Sequence, residues 1–369
     1  MRQVTAGPST RGTSARGNGR WIWGVSGLVT LVVLAVLGAR LILNAGMPTV
    51  QGNVSAMPTS TVTITQPVTS LSVQSYGAPI QITTGSGPYV TVAEAVSFSG
   101  DTPPAVTAQV TGGQLTLAAP ACAQSDCSVG FTVTLPTRVP VTAASSGGDI
   151  IISGAAGASL DSGGGAVRAT GITGSLGVTS EGGPVLLNGV AGANVDSGGG
   201  VVQAAGIYGQ FTVSSEGDPV TIKGLTGALH ADTGGGNLIA EGVSASTAAV
   251  TTEGGDARLG FATAPDTVQV DTGGGAADLS VPGGPYALTA DDGGGGPELI
   301  SIATNPAATR SINVSTNGGA LRISAGAVSG GKAAGGKGVG GTAVRTAPQK
   351  PPAPPKPGTP PQPVTPPKP

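Results

Sequence analysis

The chain has 369 residues, with 17 basic and 19 acidic side chains, so it is long enough for two domains and gives no reason to expect a nucleic-acid partner. One histidine and two cysteines leave little for metal, cofactor or redox chemistry, and no cofactor is expected. Glycine (65) and proline (30) make up about a quarter of the chain, a composition that means disorder unless a period organises it.

Residues 1–20 form a basic arm with Arg2, Arg11, Arg16 and Arg20 and no acid. Residues 21–43 are apolar except for Ser26, Thr30 and Arg40. A helix of that length spans roughly 34 Å at ~1.5 Å per residue, enough for a ~30 Å hydrocarbon core. Trp21 and Trp23 suit one headgroup interface, and Arg40 can snorkel to the other. After Arg40 the next base is Arg138, so the positive-inside rule predicts a cytoplasmic amino terminus and an extracytoplasmic body. The alternative is a cleaved signal peptide; the long apolar run and the weak Leu43-Asn44-Ala45 match favour an uncleaved anchor in the bilayer.

Residues 44–60 read as a linker, and residues 61–142 as strands without a glycine period. Candidate strands begin at Thr61, Leu71, Ile80, Val90, Leu115 and Phe131. This segment is the expected amino-terminal cap of a repeat domain that begins at residue 143. Cys122 and Cys127 lie within it with four residues between them, and export predicts a small disulfide loop joining the two.

From residue 143 to 324 one eight-residue pattern recurs: apolar, x, Ser/Thr, x, Gly, Gly, x, apolar. It reads Leu160-DSGGGA-Val167, Val178-TSEGGP-Val185 and Val195-DSGGGV-Val202, and continues to a degenerate copy at Ala290 and a last one at Val314. The ten first positions are spaced 17, 18, 17, 18, 18, 19, 20, 20 and 24 residues apart. A second glycine pair lies midway, as at Gly171/Gly174 and Gly206/Gly209. Each unit is thus two short runs between two glycine corners, with apolar residues alternating as in Val185/Leu187. Period two with glycine turns predicts strands. A two-strand unit cannot bury a face alone, so the units are predicted to stack in parallel as a β-solenoid of about ten rungs, at ~4.8 Å per rung. The fold class is therefore all-β, preceded by one transmembrane helix.

The third position carries a hydroxyl from Ser145 to Thr316, broken only at Asp292. It shares parity with the apolar first position, so it should point inward and bond either its stacked neighbours or the turn backbone. Positions two and four face outward. Asp161, Asp196, Asp232 and Asp271 hold position two on alternate rungs, and Glu181, Glu216 and Glu253 hold position four on the rungs between. This offset keeps one carboxylate from standing directly over the next. The acidic edge reads either as a soluble, association-resistant surface or as a binding face for a cationic partner or calcium. The calcium-binding nonapeptide of secreted solenoids is not matched.

The stretch Phe131-TVTLPTRVPVTAASSGGDIIISGAAGASLDSGGG-Ala166 has a strand ending in Leu135-Pro136, then an apolar strand, a Ser-Ser-Gly-Gly-Asp corner and further Ser/Thr-Gly corners. It resembles the bacterial putative-adhesin β-solenoid family, and the preceding cysteine pair is similar to that of actinobacterial members. The resemblance covers roughly residues 61–324. It implies a surface or envelope protein and transfers no catalytic residue.

Residues 325–369 hold six bases and no acid and end in a proline-rich stretch, which favours polyproline II and cannot join a sheet. It reads as a solubilising tail, a basic arm for anionic wall polymer, or a ligand for a proline-recognising domain. The functional expectation is a structural or adhesive module of the bacterial envelope, meeting wall polymer or a surface protein. A membrane-anchored sensor is the alternative and a polysaccharide-active enzyme a remote one, since the acids form a ladder and sugar-stacking aromatics are scarce.

Overall fold

The computed structural model describes residues 54–56, 60–99, 102–119 and 127–326. The predicted arm, membrane span and tail lie outside these residues, as do most of the linker and Cys122. Every regular element among them is a β-strand, and they contain no helix long and apolar enough to cross a membrane.

The strands form two long sheets. In each repeat a strand of one sheet, here the leading sheet, runs into the Ser/Thr-Gly corner. A strand of the other, the trailing sheet, leaves that corner. Leu176–Ser180 is a leading strand: Leu176, Val178 and Ser180 are buried, whereas Thr179 is exposed. It pairs in parallel with Ala193–Ser197 so that Val178 lies beside Val195 and Ser180 beside Ser197. The same register recurs along the stack, and Val, Leu, Ile and Ala columns fuse into one core between the sheets. Phe131, Phe211 and Tyr286 are its largest fully buried side chains.

Residues 61–142 contribute more than a cap. Ser70–Ser75 and Gly77–Thr84 form a rung beside Pro140–Ser145 and Ile150–Ser153. Gln114–Ala118 and Ser128–Leu135 form another, outside the first. The stack therefore holds these two rungs plus the ten of the repeat, roughly 53 Å over eleven steps of ~4.8 Å. The covering itself is antiparallel. Val90–Ser99 lies along Ser128–Leu135, Ser60–Ile64 and Val54–Ala56 lie along Val90–Ser99, and Thr107–Thr111 lies along Gln114–Ala118. Changing strand direction at the end gives the terminal rung a partner without continuing the coil.

The far end departs from sequence order. Ser311–Ser315 lies between Thr267–Asp271 and Ala287–Asp291, and Leu321–Ala325 lies between Ala277–Val281 and Glu298–Ser301. The copy at Ala290 is thus the outermost rung and the copy at Val314 is the inner one. That placement explains the degeneracy. Where inner rungs carry a buried apolar residue the outermost rung has Glu298, which is exposed and pairs with buried Leu321.

Candidate functional site

The third-position hydroxyls are structural. From Ser145 to Thr316 they are at most 4% exposed. Each is three residues from the carbonyl that closes its own corner. Ser162 Oγ donates to the Gly165 carbonyl at 2.7 Å, Ser180 to Gly183 and Ser197 to Gly200 at 2.8 Å, and Ser215 to Asp218 at 3.0 Å. Thr233, Thr252 and Thr272 make the same bond to Gly236, Gly255 and Gly275. Of the two partners that parity allowed, the turn backbone is the one chosen, at about 1 kcal/mol per bond.

The corner changes form midway. In the threonine rungs the fourth residue is left-handed, with φ of 52° at Gly234, 51° at Glu253, 60° at Gly273 and 49° at Asn317. The fifth is a glycine of positive φ, and the sixth N–H returns to the threonine carbonyl, as from Gly236 to Thr233 at 3.0 Å. Two successive positive φ values closed by that bond make a type I′-like turn. In the serine rungs the fourth residue is not left-handed. Asp218, the one residue that replaces the sixth-position glycine, stands in the last serine rung, where the two forms meet.

The seven predicted acids all lie on this edge. Asp161, Glu181, Asp196, Glu216 and Glu253 are exposed; Asp232 and Asp271 are half-buried. The register runs Asp161, Thr179, Asp196, Ser214, Asp232, Thr251, Asp271 along one column. Carboxylates in that column are two rungs apart, about 9.6 Å, where their mutual repulsion in water is ~0.4 kcal/mol instead of ~0.9 at one rung. Asp232 and Asp271 also serve the turn, accepting the Gly234 and Gly273 N–H at 3.2 and 3.1 Å. Among the described residues no three His, Cys, Asp or Glu side chains gather as a metal site would require. No described cysteine is free, and Cys127 is disulfide-bonded.

The outward columns of the two sheets differ chemically, and sequence reasoning treated only one of them. Beside the acids the leading sheet shows Thr142, Ser159, Gly177, Asn194, Thr212 and His230 in register. The trailing sheet shows Arg168, Leu186, Gln203, Thr221, Ile239, Arg258, Asp278 and Arg322. Four of the five bases between residues 143 and 324 (Arg168, Lys223, Arg258 and Arg322) project from trailing strands. The two ion pairs among the described residues are here, Arg168 with Asp149 at 3.2 Å and Arg258 with Asp278 at 3.4 Å. Ile239 is 40% exposed beside Arg258. Two shallow grooves mark this face, one of about 550 Å³ with Arg168, Leu186 and Lys223, the other of about 330 Å³ with Ile239, Arg258 and Arg322. The signal was available: each of these residues follows the eighth position by one or three places, which fixes it outward.

No family model matches the sequence, and no curated protein is significantly similar to it. Among solved structures the chain is similar to a putative adhesin from Parabacteroides distasonis, at 12% identity and a TM-score of 0.38, over 74% of this chain and 98% of that one. It is also similar to a putative adhesin from Bacteroides fragilis, at 12% identity and a TM-score of 0.27, over 73% and 97%. A putative cell adhesion protein from Clostridium sporogenes aligns at 11% identity and a TM-score of 0.18, over 73% and 100%.

Proposed function

We propose that this chain is a membrane-anchored, extracytoplasmic interaction module of the bacterial envelope, adhesion-like rather than catalytic. One observation carries the reading: the corner hydroxyls are consumed by the turns, whereas the trailing sheet displays a continuous outward column that mixes arginine, amide and exposed aliphatic side chains. Such a face suits an extended partner held by many weak contacts, a wall polymer or a surface protein. The anchor and the export of the body rest on the apolar run 21–43 and the arginines before it. In this reading the Cys127 disulfide closes on Cys122 in an oxidising compartment.

The test is retention of the full chain on purified cell walls and on intact cells. The parent is compared with a variant in which Arg168, Ile239, Arg258 and Arg322 are changed to serine. Binding by the parent and at least a tenfold loss in the variant is expected. Equal retention of both would move the site off this face, and no retention of either would remove the adhesive reading.

A further inference from the structure

The rung that comes last in the described chain is not the end of the coil. Ser311–Ser315 and Leu321–Ala325 are inserted between two rungs that precede them in sequence. This inserted rung is tied to its predecessor through one crossover, residues 302–310. Its inward side chains Ile312, Val314, Thr316, Leu321 and Ile323 are at most 3% exposed, and both of its strands have a partner on each side.

In their charge pattern the walls of the slot match the insert better than they match each other. Ser315 separates Asp271 from Asp291 in the acidic column. Asn317 occupies the fourth position between the rungs of Gly273 and Gly293. If the insert left and the outer rung closed directly onto residues 267–281, Asp271 and Asp291 would face each other at one rung, where like charges repel most. Charge repulsion therefore disfavours direct closure about twofold, or about 0.5 kcal/mol, relative to refilling by an identical segment. Closure also gives up the pairing that the insert makes with both walls. The outer rung's strands are paired with the insert and with no other strand among the described residues, so a segment of the insert's own sequence restores every strand bond at once.

We propose that this slot is an interaction site for a second copy of the chain, with residues 311–325 of each copy entering the slot of the other. Every contact of the insert is the same in cis and in trans; only the crossover 302–310 changes course. Such exchange of an identical element is a low-cost route to a dimer, and its population follows mass action, so crowding of copies favours it. The inference goes beyond the adhesive reading and does not need it.

The test uses the full chain in detergent. Ser280 and Ser324 are direct partners across the slot, and ~4.8 Å between Cα atoms in adjacent strands lies within disulfide range. A chain carrying both Ser280→Cys and Ser324→Cys closes an internal bond; failure to close would remove the premise that the insert lies there. Chains carrying Ser280→Cys alone and Ser324→Cys alone are then mixed, concentrated, and oxidised. A disulfide-linked heterodimer is expected, and at low occupancy its fraction rises about tenfold for tenfold more protein. Closure in the double variant with only monomer in the mixture overturns the proposal, as does absence of any dimer of the parent chain by light scattering at the same concentrations.

Discussion

Changing Gly183 to alanine gives the sharpest test of how the coil is held. A Cβ built at Gly183 falls 2.0 Å from the Gly165 carbonyl oxygen, 2.5 Å from its carbon and 2.9 Å from the Gly164 oxygen. These atoms are backbone of the adjacent rung, so no side-chain rotation relieves the contact. Reaching even 3.0 Å requires a shift of about 1 Å between rungs that sit ~4.8 Å apart. The Val167 N–H to Pro184 carbonyl bond, now 2.9 Å, would then stretch to about 3.9 Å, past the useful range. Losing two or three such ladder bonds at ~1 kcal/mol each gives a destabilisation of about 3 kcal/mol. Gly182 is the control: a Cβ there meets nothing within 4 Å and its φ is not positive. Gly182→Ala should be neutral or stabilising by up to ~1 kcal/mol. Urea denaturation followed by circular dichroism measures both. Equal midpoints for the two variants would mean that rung spacing is not set by this glycine column.

Val195 is 1% exposed in a stacked apolar column while Asp196 is exposed; Val195→Asp should cost several kcal/mol, Asp196→Ser almost nothing, and added calcium should leave the parent's melting unchanged. Glu253 has φ 51° at a position where Asn317 has φ 49°, so Glu253→Asn should stabilise by about 0.5–1 kcal/mol, whereas Glu216→Asn, in a serine rung, should not. Burial raises the Tyr286 pKa above the ordinary tyrosine value, and the nearby Arg310 charge offsets part of that. Its folded value is the higher one, so the stability it contributes is full below the ordinary value near pH 10 and is lost as pH rises through the folded value. Denaturation at pH 9 and pH 11 should show that loss in the parent and less of it in Tyr286→Phe, which also gives up the 2.9 Å bond to the Pro282 carbonyl.

The repeat was legible because inward positions, corner glycines and hydroxyls obey one geometric constraint per rung. Leu160, Val178, Val195 and Val213 announce a column by spacing alone. Two features were harder to read. The rung at 70–84 keeps the corner with one glycine, Gly77 at φ 67°, with Ala78 in the sixth position and Ser75 making the same turn bond at 2.9 Å, but it stands outside the run of glycine pairs. The rung at 114–135 has no such corner in its sequence, and the strands of both pair by contacts far apart in sequence. The changed rung order at the far end did leave a trace. Asp271 and Asp291 both hold position two on consecutive copies, and Gly273 and Gly293 both hold position four, which breaks the alternation kept from residue 161 onward. Placing the Val314 copy between them restores both columns, through Ser315 and Asn317. The lateral charge pattern thus encodes which rungs are neighbours. The apolar positions cannot, because every rung presents nearly the same ones.

The same reasoning separates positions that hold the coil from positions free to recognise a partner. Sixth-position glycines such as Gly183 and Gly236 are fixed by a carbonyl of the next rung at 2.0–2.2 Å from the missing Cβ. Third positions are fixed by the turn bond, and first and eighth positions by burial. On the leading sheet even position two is partly committed, since Asp232, Asp271 and Asp291 accept N–H groups of their own turns. The trailing sheet has no comparable demand on the residue after the eighth position. That column passes from arginine to leucine, glutamine, threonine and isoleucine without a repeat of its own. Variation that the fold does not require is where recognition can be written at least cost to stability. The trailing face is therefore where outward side chains can be exchanged without unfolding the stack.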